Sequence, residues 1–178
     1  GIALMENMGQ LLFAISGGNV ASIEVEVRGE IASLDVSVLK LAGLKGFYQN
    51  AVTEQVSYVN APLMAESRGV EVKLSVDSNS DEYRNVTTIR AVLADGTTSS
   101  VSGTVIGPKL QQKIVNINGY DVELAMAEHL VMMVYADRPG IVAVYGKAFA
   151  ENNINIAAMQ IARNSKGGKA LSVITVDS

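Results

Sequence analysis

Asp137, Arg138, Pro139 and Gly140 stand in a row between an apolar run and a stretch with helical spacing. An aspartate in that place has two uses. Its carboxylate can cap the helix by accepting a free amide, or it can attract an ammonium group on a ligand. Pro is tolerated in a first helical turn, and Gly lets a ligand approach the backbone closely. Free amides and the dipole at a helix start favour an anionic group such as a ligand carboxylate. Carboxylate and amides together form a small amphoteric pocket that suits a free amino acid. On the residues alone, cap and clamp both stay open.

Elsewhere the residue types that carry chemistry are sparse. With no Cys and one His, His129, the sequence offers no ligand set for zinc or an iron–sulfur cluster, so no metal site is assigned. His129 lacks an Asp–Ser or Cys companion, and no catalytic residue is assigned either. Lys166-Gly167-Gly168-Lys169-Ala170 has neither the spacing nor the Ser/Thr of a phosphate loop, and reads as a hairpin turn. No Gly fingerprint for a dinucleotide opens a strand–helix unit. Glu24 and Glu26 share one strand face with no partner in view, which reads as a solvated face.

The elements that must position the Asp137 turn flank it directly. His129 to Ala136 is almost unbroken apolar sequence and is expected to be a central strand covered on both faces. Ile141, Val144, Tyr145, Ala148 and Phe149 recur at helical spacing, with Asp137 as the expected cap. Glu151-Asn152-Asn153 ends that helix, and Ile154, Asn155 and Ile156 open the next strand. Asn164 to Gly168 is the last turn. Beyond it Ala170, Ser172, Ile174 and Val176 compete with Leu171, Val173 and Thr175 for the buried face.

The earlier part of the chain reads as a separate body. Leu4, Met5, Met8, Leu11, Leu12 and Ile15 share a helical face, stopped by Ser16-Gly17-Gly18-Asn19. Ile23, Val25 and Val27 alternate with charged residues as a half-exposed strand. Asp35 is expected to cap a helix with Val38, Leu41, Ala42 and Tyr48 on its apolar face. Gly43 and Gly46 inside it weaken it by about 1 kcal/mol each relative to Ala, and are expected to allow close packing. Asn60-Ala61-Pro62 starts a short helix ending near Gly69. Val70 to Val76 alternates, Ile89 to Leu93 turns at Asp95-Gly96 into Val101 to Val105, and Asn118-Gly119 marks a further hairpin.

A family resemblance enters on two blocks of residues. Tyr135-Ala136-Asp137-Arg138-Pro139-Gly140-Ile141-Val142, with Asn153-Ile154-Asn155-Ile156 after the helix, resembles an ACT domain of the serine-sensing kind. Val27-Arg28-Gly29-Glu30, Val59-Asn60-Ala61-Pro62, Val101-Ser102-Gly103-Thr104, Gly107-Pro108 and Lys113-Ile114-Val115-Asn116-Ile117-Asn118-Gly119 resemble the intervening domain of long-form D-3-phosphoglycerate dehydrogenases. The resemblance implies an α+β protein in two domains. Residues 1–128 would be an intervening domain with a mostly antiparallel sheet and helices. Residues 129–178 would be a ferredoxin-like ACT domain that lacks its last helix and strand.

It further implies a regulatory portion without catalytic residues, needing no cofactor itself. The parent enzyme would oxidise D-3-phosphoglycerate with NAD at the first step of serine synthesis. L-serine is the expected effector, held by Tyr135, Asp137, Gly140, Ile141 and Asn155 between paired ACT domains. Lys113 occupies a basic position of the intervening pattern and is a candidate anion-binding residue. The chain is expected to pair with copies of itself through both domains. Two alternatives are the regulatory portion of an L-serine dehydratase and a purely structural dimerisation module.

Bulk properties fit this frame. Of 178 residues, 48% are hydrophobic, as a folded globular chain requires. A net charge of −4 and a pI near 5.0 speak against nucleic acid as a partner. No apolar run approaches the roughly 20 residues of a membrane helix. Absence of Cys fits a reducing cytoplasm, the expected location. A start at Gly1, already within a helical pattern, implies a fragment.

Overall fold

The computed structural model describes residues 1–17 and 19–177. Gly18, part of the expected helix stop, and Ser178 lie outside them. The chain divides into two compact units, Gly1–Asn118 and Gly119–Ser178. Among the described residues four α-helices and mostly antiparallel sheets make the protein α+β.

In the first unit, α1 (Ile2–Ser16) ends at Gly17, whose φ of 74° closes the helix in the left-handed region. Strand β1 (Val20–Gly29) follows, then a 3₁₀ turn (Glu30–Ser33), α2 (Ser37–Gln49) and α3 (Ala61–Ser67). Strands β2 (Glu71–Asp77), β3 (Asn85–Leu93), β4 (Thr98–Ile106) and β5 (Gln111–Ile117) complete it. Their order is β2-β1-β3-β4-β5. Only the β1–β2 pair is parallel among these, joined by the long crossover that parallel pairing needs.

The alternation of β1 places Ile23, Val25 and Val27 wholly inside. Helix α2 packs over β1 and α1 over β3 and β4, and the two helices bury Leu4, Met5, Met8, Leu12, Leu44 and Phe47. Each such side chain contributes about 1.5–3 kcal/mol by leaving water. Phe13 and Tyr48 set their rings edge-on to Phe47. The two helices cross with backbones nearly touching, because Gly9, Gly43 and Gly46 leave no side chain at the crossing. Gly43 and Gly46 therefore do what their spacing predicts, and Gly9 completes the set.

Several expectations for this unit are corrected. The residue at the cap position of α2 is Val36, and Asp35 lies one residue earlier. There Asp35 Oδ1 accepts the Ser37 amide at 3.1 Å, and the Ser37 hydroxyl, seconded by that amide, holds its carboxyl below the usual range. Of the residues expected on the buried face of α2, Ala42 and Tyr48 are there, joined by Leu39, Leu44 and Phe47, while Val38 is 36% exposed and Leu41 half-buried. Glycines widen the close-packed stripe, so the apolar period alone misplaces it. Glu24 and Glu26 have partners after all: Glu24 reaches Arg90 and Ser75, and Glu26 reaches Arg28. The turns stand as predicted, with Gly96 at φ 86° and Asn118 and Gly119 at 50° and 86°.

In the second unit, β6 (Tyr120–Leu124) precedes β7 (Leu130–Ala136), α4 (Ile141–Glu151), β8 (Ile156–Arg163) and β9 (Lys169–Val176). The order β7-β9-β8, with β9 antiparallel to both neighbours, is a split β-α-β arrangement. The centre of this sheet is β9, not β7. That explains why both sets of β9 residues compete for burial: Ala170, Ser172 and Ile174 are buried on one face, Leu171 and Val173 on the other.

Tyr145 of α4 packs with Ile174, Val176, Val131, Met133 and Ile156. The opposite face lies near residues 123–127, where the Glu123 amide donates to Gln160 Oε1 at 2.9 Å. Strand β7 pairs only with β9 among the described residues, and its side chains are half-buried or exposed. The apolar run that reads as a doubly covered strand is thus an edge. On α4, Tyr145 is buried and Ile141 and Phe149 half-buried, but Val144, at 68% exposure, and Ala148 face outward.

Candidate functional site

Asp137 follows the last residue of β7, where its amide donates to Gly168 O at 2.8 Å. This fixes the turn against the start of β9. The helix does not take Asp137 as its cap. Gly140 holds that position at φ 91°, with no side-chain cap hydrogen bond, and Pro139 precedes it. A left-handed cap residue spaces Asp137 away from the first helical amides, which explains why the simple capping pattern fails. Nothing lies within 4 Å of where a Gly140 β-carbon would be, so the approach to the first amides of α4 is open.

The carboxylate has a different partner. Asp137 Oδ2 lies 3.2 Å from Nε of Arg163, the last residue of β8. Asp137 is 19% exposed in its side chain and Arg163 56%. Sequence reasoning missed Arg163, since it lies 26 positions away by number (163 against 137) in no motif. What could have pointed to it is the pairing of strands. Tyr135, Ala170 and Arg163 form one cross-strand row over β7, β9 and β8.

Tyr135 stands in that row and faces α4. Its hydroxyl lies 2.7 Å from Ser172 Oγ, and its ring centre 6.2 Å from that of Tyr145. Burial, with the neighbouring Tyr145 and Asp137, pushes the Tyr135 hydroxyl above its ordinary range, against the Ser172 bond that lowers it. Tyr135 therefore stays a neutral wall beside Asp137.

Asn155 is not with them. It precedes β8, and its Nδ2 donates to Asp177 Oδ2 at 2.8 Å, while its carbonyl accepts the Asp177 amide. That is the far end of the sheet: β8 runs its whole length between Asn155 and Arg163, about 26 Å at 3.3 Å per residue. Tyr135, Asp137, Gly140 and Ile141 thus cluster at one end of the unit, and Asn155 lies at the other. Lys113 is half-buried on β5 opposite Thr104, and makes no ion pair among the described residues. A cleft of about 440 Å³ in the first unit, lined by Leu4, Ile31, Leu39, Asn85, Val105 and Leu110, was not foreseen. Among the described residues no three His, Asp or Glu side chains converge to hold a metal ion.

Comparison with known proteins decides what this architecture is. Residues 2–118 match the model of the D-3-phosphoglycerate dehydrogenase intervening domain. The chain belongs to that family. The D-3-phosphoglycerate dehydrogenase of Mycobacterium leprae (strain TN) is 36% identical over 174 residues, which is 98% of this chain and 33% of that protein. That of Bacillus subtilis (strain 168) is 33% identical over 158 residues, or 89% of this chain and 30% of the relative. That of Methanocaldococcus jannaschii is 29% identical over 174 residues, 98% of this chain and 32% of the relative. The intervening-domain chain spans about a third of the length of the curated relatives it matches. No helix among its described residues is long and apolar enough to cross a membrane.

Proposed function

We propose that this chain is the regulatory, L-serine-sensing portion of a D-3-phosphoglycerate dehydrogenase. The match to such enzymes through 98% of the chain, over only a third of their length, carries this reading. NAD and the oxidation of D-3-phosphoglycerate belong to polypeptide outside this chain. What remains here is recognition of the pathway's product and its transmission.

The second unit acts as an ACT domain and works as a pair. Within one unit Asp137 and Asn155 lie at opposite ends of β8, about 26 Å of strand apart, so they cannot grip one small amino acid. A two-fold axis beside β8 removes that obstacle. If β8 of one chain pairs antiparallel with β8 of a second, the start of one strand lies beside the end of the other. Asn155 of one copy then comes to Arg163 and Asp137 of its mate. Among the described residues β8 pairs in its sheet with β9 alone, and its Met159 and Ile161 are each more than 40% exposed, which supports this join. Asp137 neutralises the serine ammonium, amides near Gly140 and Ile141 receive the carboxylate, and Asn155 bridges amine and hydroxyl. Tyr135 closes one wall.

The test is calorimetry of L-serine on the full-length polypeptide, together with inhibition of NAD-dependent oxidation of D-3-phosphoglycerate. Saturable binding, weakened about ten- to a hundredfold by Asp137→Ala, is expected from the loss of a charged hydrogen bond of roughly 1.5–3 kcal/mol. A full-length protein that binds no serine overturns the reading.

A further inference from the structure

We propose that Arg163 is a specificity-determining residue of the effector site, sharing the carboxylate of a free α-amino acid with the amides near Gly140 and Ile141 while Asp137 takes its ammonium. This rests on the reading of that site as an amino-acid sensor, and adds a residue that the turn motif does not contain.

The geometry of the pair carries it. The contact is made at one point, Nε to Oδ2 at 3.2 Å. Among the described residues, Asp137 Oδ1 and the two terminal nitrogens of Arg163 have no other partner. The guanidinium fork can match a carboxylate bidentately, and this pair leaves the second prong open. Here each group keeps its outward donors or acceptors. They match a zwitterion: a carboxylate free to accept an ammonium, and N–H groups free to bind a ligand carboxylate. The pair sums to zero charge, as does the ligand.

Both groups are held in place. Asp137 is pinned through its amide to Gly168. Arg163 ends β8 next to a closed turn, where the Lys169 amide donates to Asn164 Oδ1 at 3.1 Å. To reach Asp137 the arginine side chain crosses β9 on the face that carries Tyr135. Two strand spacings, about 10 Å, separate its backbone from that of β7. The residue it crosses is Ala170, which is fully buried and small enough to lie beneath it. Arg138, Lys166 and Lys169 lie at the same end, yet none of them pairs with Asp137 among the described residues.

The consequence is selectivity. Amino acids that keep both charges fit; an amine without a carboxylate leaves the guanidinium unanswered. The experiment uses the full-length protein and two probes, L-serine and L-serinamide, which keeps the ammonium and hydroxyl but not the carboxylate. In the parent, serine should bind far more tightly than serinamide. Arg163→Ala should weaken serine at least tenfold while changing serinamide less than twofold or leaving it equally undetectable, so the preference collapses. Arg163→Lys should recover part of it, because charge returns without the fork. If serine binding is unchanged in Arg163→Ala, or if both probes weaken by the same factor, Arg163 only steadies Asp137 and the proposal is wrong. A parent that binds no serine at all removes the sensor reading itself, and this proposal with it.

Discussion

Gly46 of α2 lies so close to Glu6 of α1 that a β-carbon built on it would sit 1.9 Å from the Glu6 carbonyl oxygen. Backbone meets backbone there, and neither can yield without moving a helix. Gly46→Ala gains about 1 kcal/mol in helix propensity. Overpacking of this kind costs about 1–3 kcal/mol or more, and a rigid contact lies at the upper end. The expected result is a net loss of about 2 kcal/mol. Gly146 in α4 is the contrast, since nothing lies within 4 Å of its β-carbon position. Gly146→Ala should stabilise by about 0.5–1 kcal/mol. Urea midpoints of the two variants should move in opposite directions; movement the same way would refute the close crossing.

Glu6 also ties α1 to its surroundings through its side chain. Its Oε1 accepts the Tyr58 hydroxyl at 2.5 Å and the Lys45 ammonium at 3.1 Å. Chiefly the Tyr58 bond, opposed by burial and helped by Lys45, lowers its carboxyl below 4.5. A carboxyl with a depressed folded value stabilises fully above its unfolded value. That contribution fades as pH falls through the lower, folded one. Glu6→Gln should therefore cost stability at pH 7 and lose that deficit in acid below pH 4.5. Equal deficits at pH 7 and pH 3 in chemical denaturation would show that the charge is not what matters.

How far the residues alone reach is clearest where they succeed by local chemistry. Ile23, Val25 and Val27 alternate because a half-covered strand must alternate. Asp95-Gly96 and Asn118-Gly119 turn because their backbones tolerate positive φ. Those rules need no knowledge of neighbours. Where a neighbour decides, the reading fails. His129 to Ala136 is apolar enough for a sheet centre, but β9 takes the centre and leaves β7 at an edge. Asp137 looks like a cap until Gly140 takes the position, and Arg163 has no local mark at all. It becomes visible only when Tyr135, Ala170 and Arg163 align across three strands.

A site shared between copies makes an unusual genetic prediction. Asp137→Ala and Asn155→Ala should each abolish most serine binding when pure. Mixed in one dimer, one interface site would lose both groups while the other keeps both. Co-expressed and purified as the mixed pair, they should recover about half the parent's binding stoichiometry at parental affinity, on the two-fold arrangement argued above. Calorimetry that finds no tight sites in the mixed pair would place both residues on one chain's site or on none.

The join along β8 can be probed without ligand. Met159, at 44% exposure, lies near the middle of the edge strand on the face toward Tyr145, close to the proposed axis. Met159→Lys sets two like charges against each other, and edge lysines oppose strand pairing. Light scattering of the second unit's parent protein should show weaker self-association in the variant, restored in part by high salt. Unchanged association would put the join on another surface.

The strand order of the first unit bears on how the protein is made. Its central β1 comes from residues near the start, yet its partner β3 begins only at Asn85, some fifty-five residues after β1 ends at Gly29. At ribosomal speeds of roughly 5–20 residues per second, the apolar face of β1 emerges about three to eleven seconds before β3 can pair with it, although its parallel partner β2 follows somewhat sooner. During that interval α2, held against α1 through their glycines, can already cover the inner face of β1. The tight helical crossing thus also serves the nascent chain, as a shield for an unpaired strand until the β3–β4–β5 meander arrives.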